Sequence, residues 1–213
     1  MAHAPDAPEL VKLAEEYGCN SMTPIRPMDQ RVHRFGHLTG RHIEHHLFDC
    51  TSYTRLRDLI AEKRPDTIVH YAELPSAPYS MLGYQEAKDT LDNNLHTTLA
   101  LAHAVMDTGV DAHIIKLGTM GEYGTPNIPI GEGWLTVGDD ERNHTFLYPQ
   151  EPGSLYHVTK VQDTHILWLY TPTHTLKVTA VMQGPVYGID PAETALHPDL
   201  ATSCYHAALF ATV

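Results

Sequence analysis

The chain has 213 residues, 42% of them apolar and 19% charged, which suffices to bury a core and is too apolar for a disordered chain. Fourteen Lys and Arg against 26 Asp and Glu leave a formal charge of −12, so nucleic acid and anionic membrane surfaces are not expected partners. Three scattered cysteines, Cys19, Cys50 and Cys204, form no C-x-x-C pair and argue against a disulfide framework.

Residues 8–17 carry helical apolar spacing and stop at Gly18. A second short helix is expected over 28–38, ended by Thr39-Gly40. Ile43 to Phe48 is expected as a strand. Ser52 is then placed as the N-cap of a helix from Tyr53 to Glu62, with Leu56, Leu59 and Ile60 on one face. Arg64-Pro65-Asp66 interrupts, and the β-branched run Thr67–Ala72 has strand length. A long helix follows from about Gly83 to Thr108, ended by Gly109, and Ala112–Leu117 is the next strand. Residues 118–153 are rich in Gly, Pro, Asn and Asp, so they read as loops with one hairpin. Ser154–Tyr170 is helical, closed by Thr171-Pro172, and Leu176–Met182 is the last strand.

Alternating strands and helices imply an α/β chain with a doubly wound parallel sheet. In such sheets ligands bind beyond the carboxyl ends of the strands. The segments 73–81, 118–124 and 183–188 are therefore where chemistry is expected. Tyr156-His-Val-Thr-Lys160 is the strongest local signal, because Tyr and Lys four residues apart share a helical face. A nearby ammonium lowers a phenol's pKa, so the phenolate can take a proton from a sugar hydroxyl. Taken alone the pair is common; a strand-end hydroxyl, Thr119, then a loop and the helix-borne Tyr156 and Lys160 is the order used by short-chain dehydrogenases.

Longer runs sharpen this. Lys116-Leu-Gly-Thr-Met-Gly-Glu-Tyr-Gly-Thr-Pro-Asn-Ile128, Ser76-Ala-Pro-Tyr-Ser-Met81, Ser21-Met-Thr-Pro-Ile25, Leu38-Thr-Gly40 and Gln183-Gly-x-Val-Tyr-Gly188 resemble segments of the UDP-sulfoquinovose synthase family. That family is a branch of the extended short-chain dehydrogenases, and the resemblance runs over about residues 20–205. It implies a Rossmann-like fold, NAD as cofactor, and UDP-glucose and sulfite as substrates. It also implies a reaction: oxidation at C4, loss of water across C5–C6, sulfite addition, and reduction of the ketone. Catalytic roles are implied for Thr119, Tyr156 and Lys160. His157 becomes the candidate acid/base for the C5–C6 steps, or a packed helix histidine. Glu122 is a second candidate, or a loop carboxylate in water. Cofactor contacts are implied for Asp49, Tyr156, Lys160 and Gln183, with Asp49 readable equally as a loop carboxylate. Substrate contacts are implied for Ser76, Tyr79, Met120, Gln183 and Tyr187. A homodimer is implied for a full-length parent.

The sequence also departs from that pattern. No G-x-x-G-x-x-G phosphate loop occurs, so the first βα unit is expected to be missing, and with few residues after Tyr187-Gly188 most of a substrate domain is expected to be missing too. The chain reads as one partial NAD(P)-binding domain over 1–213, with 190–213 beginning a truncated substrate segment. Leu74-Pro75, Thr97 and Met182 stand where the family carries Gln-Arg, Gly and Asn. A 4-epimerase or 4,6-dehydratase, and a non-catalytic fragment, remain competing readings. His42, His45 and His46 lack a completing Cys or carboxylate cluster, so no metal is expected. No signal or transit peptide is visible and no apolar run reaches ~18 residues, so a cytoplasmic location is expected, or the chloroplast in a photosynthetic eukaryote.

Overall fold

A computed structural model describes residues 28–124, 131, 134–139, 141–147, 150–174 and 176–184. The expected helix at 8–17, the segment 21–25, Tyr187 and the 190–213 segment lie outside the described residues. The chain divides into two compact units, Phe48–Gly184, and Met1–Leu47 with Pro185–Val213. In the second of these, helix α1 spans Met28–Thr39 and ends at Gly40, whose φ of 68° is the left-handed stop the sequence predicts.

The larger unit runs α2 (Tyr53–Lys63), β1 (Thr67–His70), α3 (Tyr84–Thr108), β2 (His113–Thr119), β3 (Trp134–Gly138), β4 (Asn143–Leu147), α4 (Leu155–His174) and β5 (Lys177–Gln183). Short 3-10 turns occupy Tyr79–Met81 and Met120–Tyr123. Strands β1, β2 and β5 form one parallel sheet in the order β1-β2-β5, with Ile68 beside Ile114 and Ile114 beside Val178. Parallel neighbours need crossovers, and α3 and α4 supply them. The hairpin expected in the long loop is β3–β4, with Trp134 set edge-on to Trp168 of α4 at 5.6 Å.

Helices α2, α3 and α4 pack side by side. Their inward residues Ile60, Leu101, Val105 and Leu167 meet Ile114 of β2 and Leu176 to make the core. Ala102 and Ala104, both wholly buried, let α3 approach its neighbours closely. Gly109 closes α3 at φ 60°, its N–H donating to the Met106 carbonyl. The α/β class and the parallel Rossmann-like sheet are those the sequence predicts.

Two local expectations differ. Residues 43–48 form no strand, and Arg41–Leu47 are exposed. The alternation there places His42, Glu44 and His46 on one side and Ile43, His45 and Leu47 on the other. Neither face is apolar enough to repay burial. Helix α4 also continues past Pro172 to His174. Proline tolerates the helical φ but removes one amide donor. The Thr171 and Thr173 hydroxyls donate to the Leu167 and Leu169 carbonyls, at 3.1 and 3.3 Å, on either side of the carbonyl left short.

Leu167 is fully buried between sheet and helices. Leu167→Ala should lower unfolding stability by about 2–5 kcal/mol, read from the urea midpoint. An unchanged midpoint would place the core elsewhere.

Candidate active site

The end of β2 is shaped by what lies under it. Gly118 is buried, and a Cβ there would come 2.5 Å from Glu122 Oε1 and 3.0 Å from Met182 Sδ. Glycine thus lets the Glu122 carboxylate fold back beneath the strand end. The carboxylate accepts the Thr119 N–H at 3.1 Å and a hydrogen from Gln150 Nε2 at 3.1 Å. It also pairs with the Lys116 ammonium at 3.1 Å, and both side chains are 0% exposed. Lys116 gives its other hydrogens to the Lys160 carbonyl at 2.5 Å and Thr164 Oγ1 at 2.8 Å, both on α4. The turn that carries Thr119 is thereby tied to the helix that carries Tyr156 and Lys160. Thr119 Oγ1 itself accepts the Gly121 N–H at 3.2 Å.

Helix α4 opens at this same edge. The Tyr156 N–H donates to Ser80 Oγ at 3.0 Å, which joins the loop after β1 to the start of the helix. His157 Nδ1 lies 2.9 Å from Ser154 Oγ. Its ring packs on Gly121, where a Cβ would come 2.4 Å from Nε2. Burial lowers the imidazole pKa below its usual value, and the Glu122 charge works against that shift. Lys160 Nζ lies 5.7 Å from the Tyr156 ring centroid. It donates to the Leu117 carbonyl at 2.7 Å and pairs with Glu73 Oε2 at 2.7 Å.

Gln183 is the register partner of Thr119, and Met120 Sδ would lie 3.6 Å from a Cβ at Gly184. The structure therefore gathers Thr119, Met120, Glu122, Tyr156, His157, Lys160 and Gln183 at one sheet edge. Ser76 and Tyr79 belong to the loop anchored there through Ser80: Ser76 Oγ accepts the Tyr79 N–H at 3.2 Å, and the Tyr79 hydroxyl reaches Asp89 at 3.4 Å. Glu122 is buried in an ion pair, unlike a loop carboxylate in water. Asp49 is exposed and caps its own turn, accepting the Thr51 N–H and hydroxyl at 2.9 and 2.8 Å, which lowers its pKa. Tyr187 lies outside the described residues.

Composition and spacing did not bring forward Lys116, Glu73, Asp163 or Asn94. Asn94 holds the loop after β1 by accepting the Leu74 N–H at 2.7 Å and donating to Thr159 at 2.9 Å. The available signal was a Lys inside the apolar strand His-Ile-Ile-Lys-Leu, since a charge in a buried strand must be paired. Thr97, where the family carries Gly, is buried with its hydroxyl on the Asn93 carbonyl at 2.5 Å.

Dinucleotides bind beyond the carboxyl ends of a parallel sheet. The donor set there, a threonine hydroxyl, an ammonium and a Gln amide, fits the nicotinamide end of NAD. The sequence holds no Gly-rich loop for the pyrophosphate.

A strand-end threonine and a helix-borne tyrosine and lysine are thus gathered at the carboxyl edge of a parallel sheet, in the order the sequence predicts. The chain belongs to the NAD dependent epimerase/dehydratase family, whose profile matches residues 10–209. It is 38% identical over 197 residues to the chloroplastic UDP-sulfoquinovose synthase of Spinacia oleracea, covering 92% of this chain and 41% of that protein. It is 39% identical over 178 residues to the UDP-sulfoquinovose synthase of Sulfolobus acidocaldarius, covering 83% and 45%. The chain thus spans less than half the length of these curated relatives. Its fold is similar to that of UDP-glucose 4-epimerase from Brucella ovis in complex with NAD, with TM-score 0.58 and 23% identity over 70% of this chain and 41% of that one. The Bifidobacterium longum 4-epimerase with NAD+ and UDP gives TM-score 0.56 and 21% identity over 71% and 41%.

The two influences on His157 are separable. Its imidazole should titrate below about 6.5, the ordinary value, in an NMR pH series. Glu122→Gln removes the opposing charge and should move the midpoint lower still. A midpoint that rises in Glu122→Gln would contradict the arrangement.

Proposed function

We propose that this chain carries the catalytic centre of a UDP-sulfoquinovose synthase-like enzyme, with UDP-glucose and sulfite as substrates and NAD as cofactor. The observation that carries the reading is the Lys160 ammonium, held 2.7 Å from the Leu117 carbonyl. It brings the Tyr156 end of α4 to the strand end that bears Thr119. NAD, when bound, supplies the hydride acceptor for oxidation and the donor for the final reduction.

The chain's own residues do the acid–base work. Tyr156, as phenolate beside an ammonium, takes the proton of the sugar 4-hydroxyl, while Thr119 donates a hydrogen bond to the same oxygen. Lys160 holds the phenolate form and the ribose hydroxyls, and Gln183, beside Thr119, faces the same ligands. With C4 a ketone, the C5 hydrogen is acidic. His157, neutral at pH 7 through its burial, takes that proton and passes it to the C6 hydroxyl, which leaves as water across C5–C6. Bisulfite then adds through sulfur at C6, its proton passing by way of His157 to C5. Glu122 sustains the imidazole's basicity through its charge. Ser76, Tyr79, Met120 and Tyr187 are assigned to the sugar nucleotide and Asp49 to the adenosine end of NAD. We assign 1–213 to one partial NAD(P)-binding domain, with 190–213 as the start of a substrate-domain segment. A homodimer of the full-length parent follows from the same reading, as does a cytoplasmic location, or the chloroplast in a photosynthetic eukaryote.

A rival follows from Leu74-Pro75: without the family's Gln-Arg pair the sugar could be epimerised at C4 and never sulfonated. The test uses a chimera in which this chain receives the flanking segments of the spinach relative, in single turnover with UDP-glucose and sulfite. Tyr156→Phe should abolish NADH formation. His157→Ala should still form NADH but make sulfonated product about 100- to 10,000-fold more slowly. Sulfonated product at the parent rate from His157→Ala would move the base to Glu122, and a parent that yields only the galactose epimer would establish the rival.

A further inference from the structure

Beneath the site lies a charge cluster closed off from solvent. The Lys116 and Lys160 ammonium groups meet three carboxyl groups, Glu122, Glu73 and Asp163. Glu122 pairs with Lys116 at 3.1 Å and Glu73 with Lys160 at 2.7 Å, and none of these four side chains is more than 6% exposed. The Lys160–Glu73 contact is an ion pair whose angles fall outside hydrogen-bond geometry. The third carboxyl, Asp163, lies three residues beyond Lys160 on α4. It is 0% exposed, and its oxygens, faced by the Thr98 hydroxyl, make no well-formed hydrogen bond among the described residues.

The charges do not balance if every group is ionised. Two ammoniums against three carboxylates leave one net negative charge in an interior closed to solvent, which burial strongly disfavours. His70 of β1, with Nε2 3.8 Å from Glu73 Oε1, cannot supply the missing positive charge. Burial and the two ammoniums press its pKa down to about 3, so it is neutral and bonds Thr98 Oγ1 at 2.8 Å. One carboxyl must therefore hold a proton. Burial, then the charge of Glu73, push Asp163 up to about 8, so the proton resides there at neutral pH.

We propose that Glu73 and Asp163 form a buried carboxyl pair that carries one negative charge and one proton, and that this pair positions the Lys160 ammonium. The catalytic meaning of that positioning rests on the dehydrogenase reading; the proton held on Asp163 does not. A second negative charge would draw the ammonium away from the Tyr156 ring and the Leu117 carbonyl.

Asp163 is faced by Glu73 of the loop after β1, Thr98 of α3, Lys116 of β2 and Lys160 of its own helix; behind these, His70 bonds Thr98 and Glu122 pairs with Lys116. Its folded-state pKa is raised above the unfolded value. The folded chain thus keeps a proton that the unfolded chain releases, and stability declines as pH rises from about 4 to about 8.

Infrared difference spectroscopy on the full chain at neutral pH should show a protonated-carboxyl C=O band that D163N removes. Asn mimics the protonated acid, so D163N should fold and lose much of the decline in Tm across that pH window. E73Q should also lose the band, because Asp163 then carries the single charge. The double variant E73Q/D163N leaves Lys160 unpaired and should lower Tm by more than the two single shifts combined. The Lys160 Nζ resonance in NMR should move as Asp163 titrates, and stay still in D163N. No such band in the parent, additive Tm losses, or a Lys160 resonance indifferent to Asp163 would each overturn the pair. A parent that shows the band yet forms no NADH in the chimera refutes the dehydrogenase reading and leaves the pair standing.

Discussion

The site depends on one buried ammonium. Lys116 stands in the middle of the central strand with no exposure to solvent, where an unpaired charge would be untenable. Its three hydrogens are all placed: on Glu122 of the turn after β2, and on the Lys160 carbonyl and Thr164 hydroxyl of α4. A hydrophobic contact would hold strand and helix together without fixing their register. Three directed, charge-assisted bonds fix it, because displacement along the helix breaks them together. Removing one partner of such a pair typically costs about 3–5 kcal/mol, since the other is left buried and uncompensated.

From this bond the rest of the geometry follows. Glu122, drawn under the strand end, takes the Thr119 N–H and so sets the direction of the turn. The room for that carboxylate comes from Gly118, and the room for the His157 ring comes from Gly121. The T-M-G-E segment is thus a packing solution as well as a chemical one. Each glycine admits a neighbouring side chain, and the glutamate that stabilises the turn also raises the basicity of the histidine.

Much of this was legible in the sequence. Helices α2 and α3 and the three sheet strands follow from apolar periodicity and from the Gly and Pro stops. Thr119, Tyr156 and Lys160 follow from their order. The strand expected at Ile43–Phe48 failed because alternation alone does not supply an apolar face. The helix end at Pro172 was misjudged because flanking threonine hydroxyls bond to nearby carbonyls of the last turns. Glu122 was legible as a carboxylate but not as a buried one. Its partner Lys116 precedes it by six positions across a strand end, and only the fold turns them toward each other. Asp163 was silent for a related reason: its environment is assembled from β1, β2, α3 and its own helix.

The central claim is that Lys116 sets the turn bearing Thr119 against α4, apart from its part in stability. Site-resolved amide hydrogen exchange tests this on the parent and on Lys116→Met, which keeps the side-chain length without the charge. The account predicts that the Thr119 amide, bonded to Glu122, and the Gly121 amide, bonded to Thr119, lose their protection selectively. The amides of Ile114 and Val105, in the core beneath, should slow or quicken only with global stability. Thr119 and Gly121 amides that remain as protected as their core neighbours in Lys116→Met would contradict it.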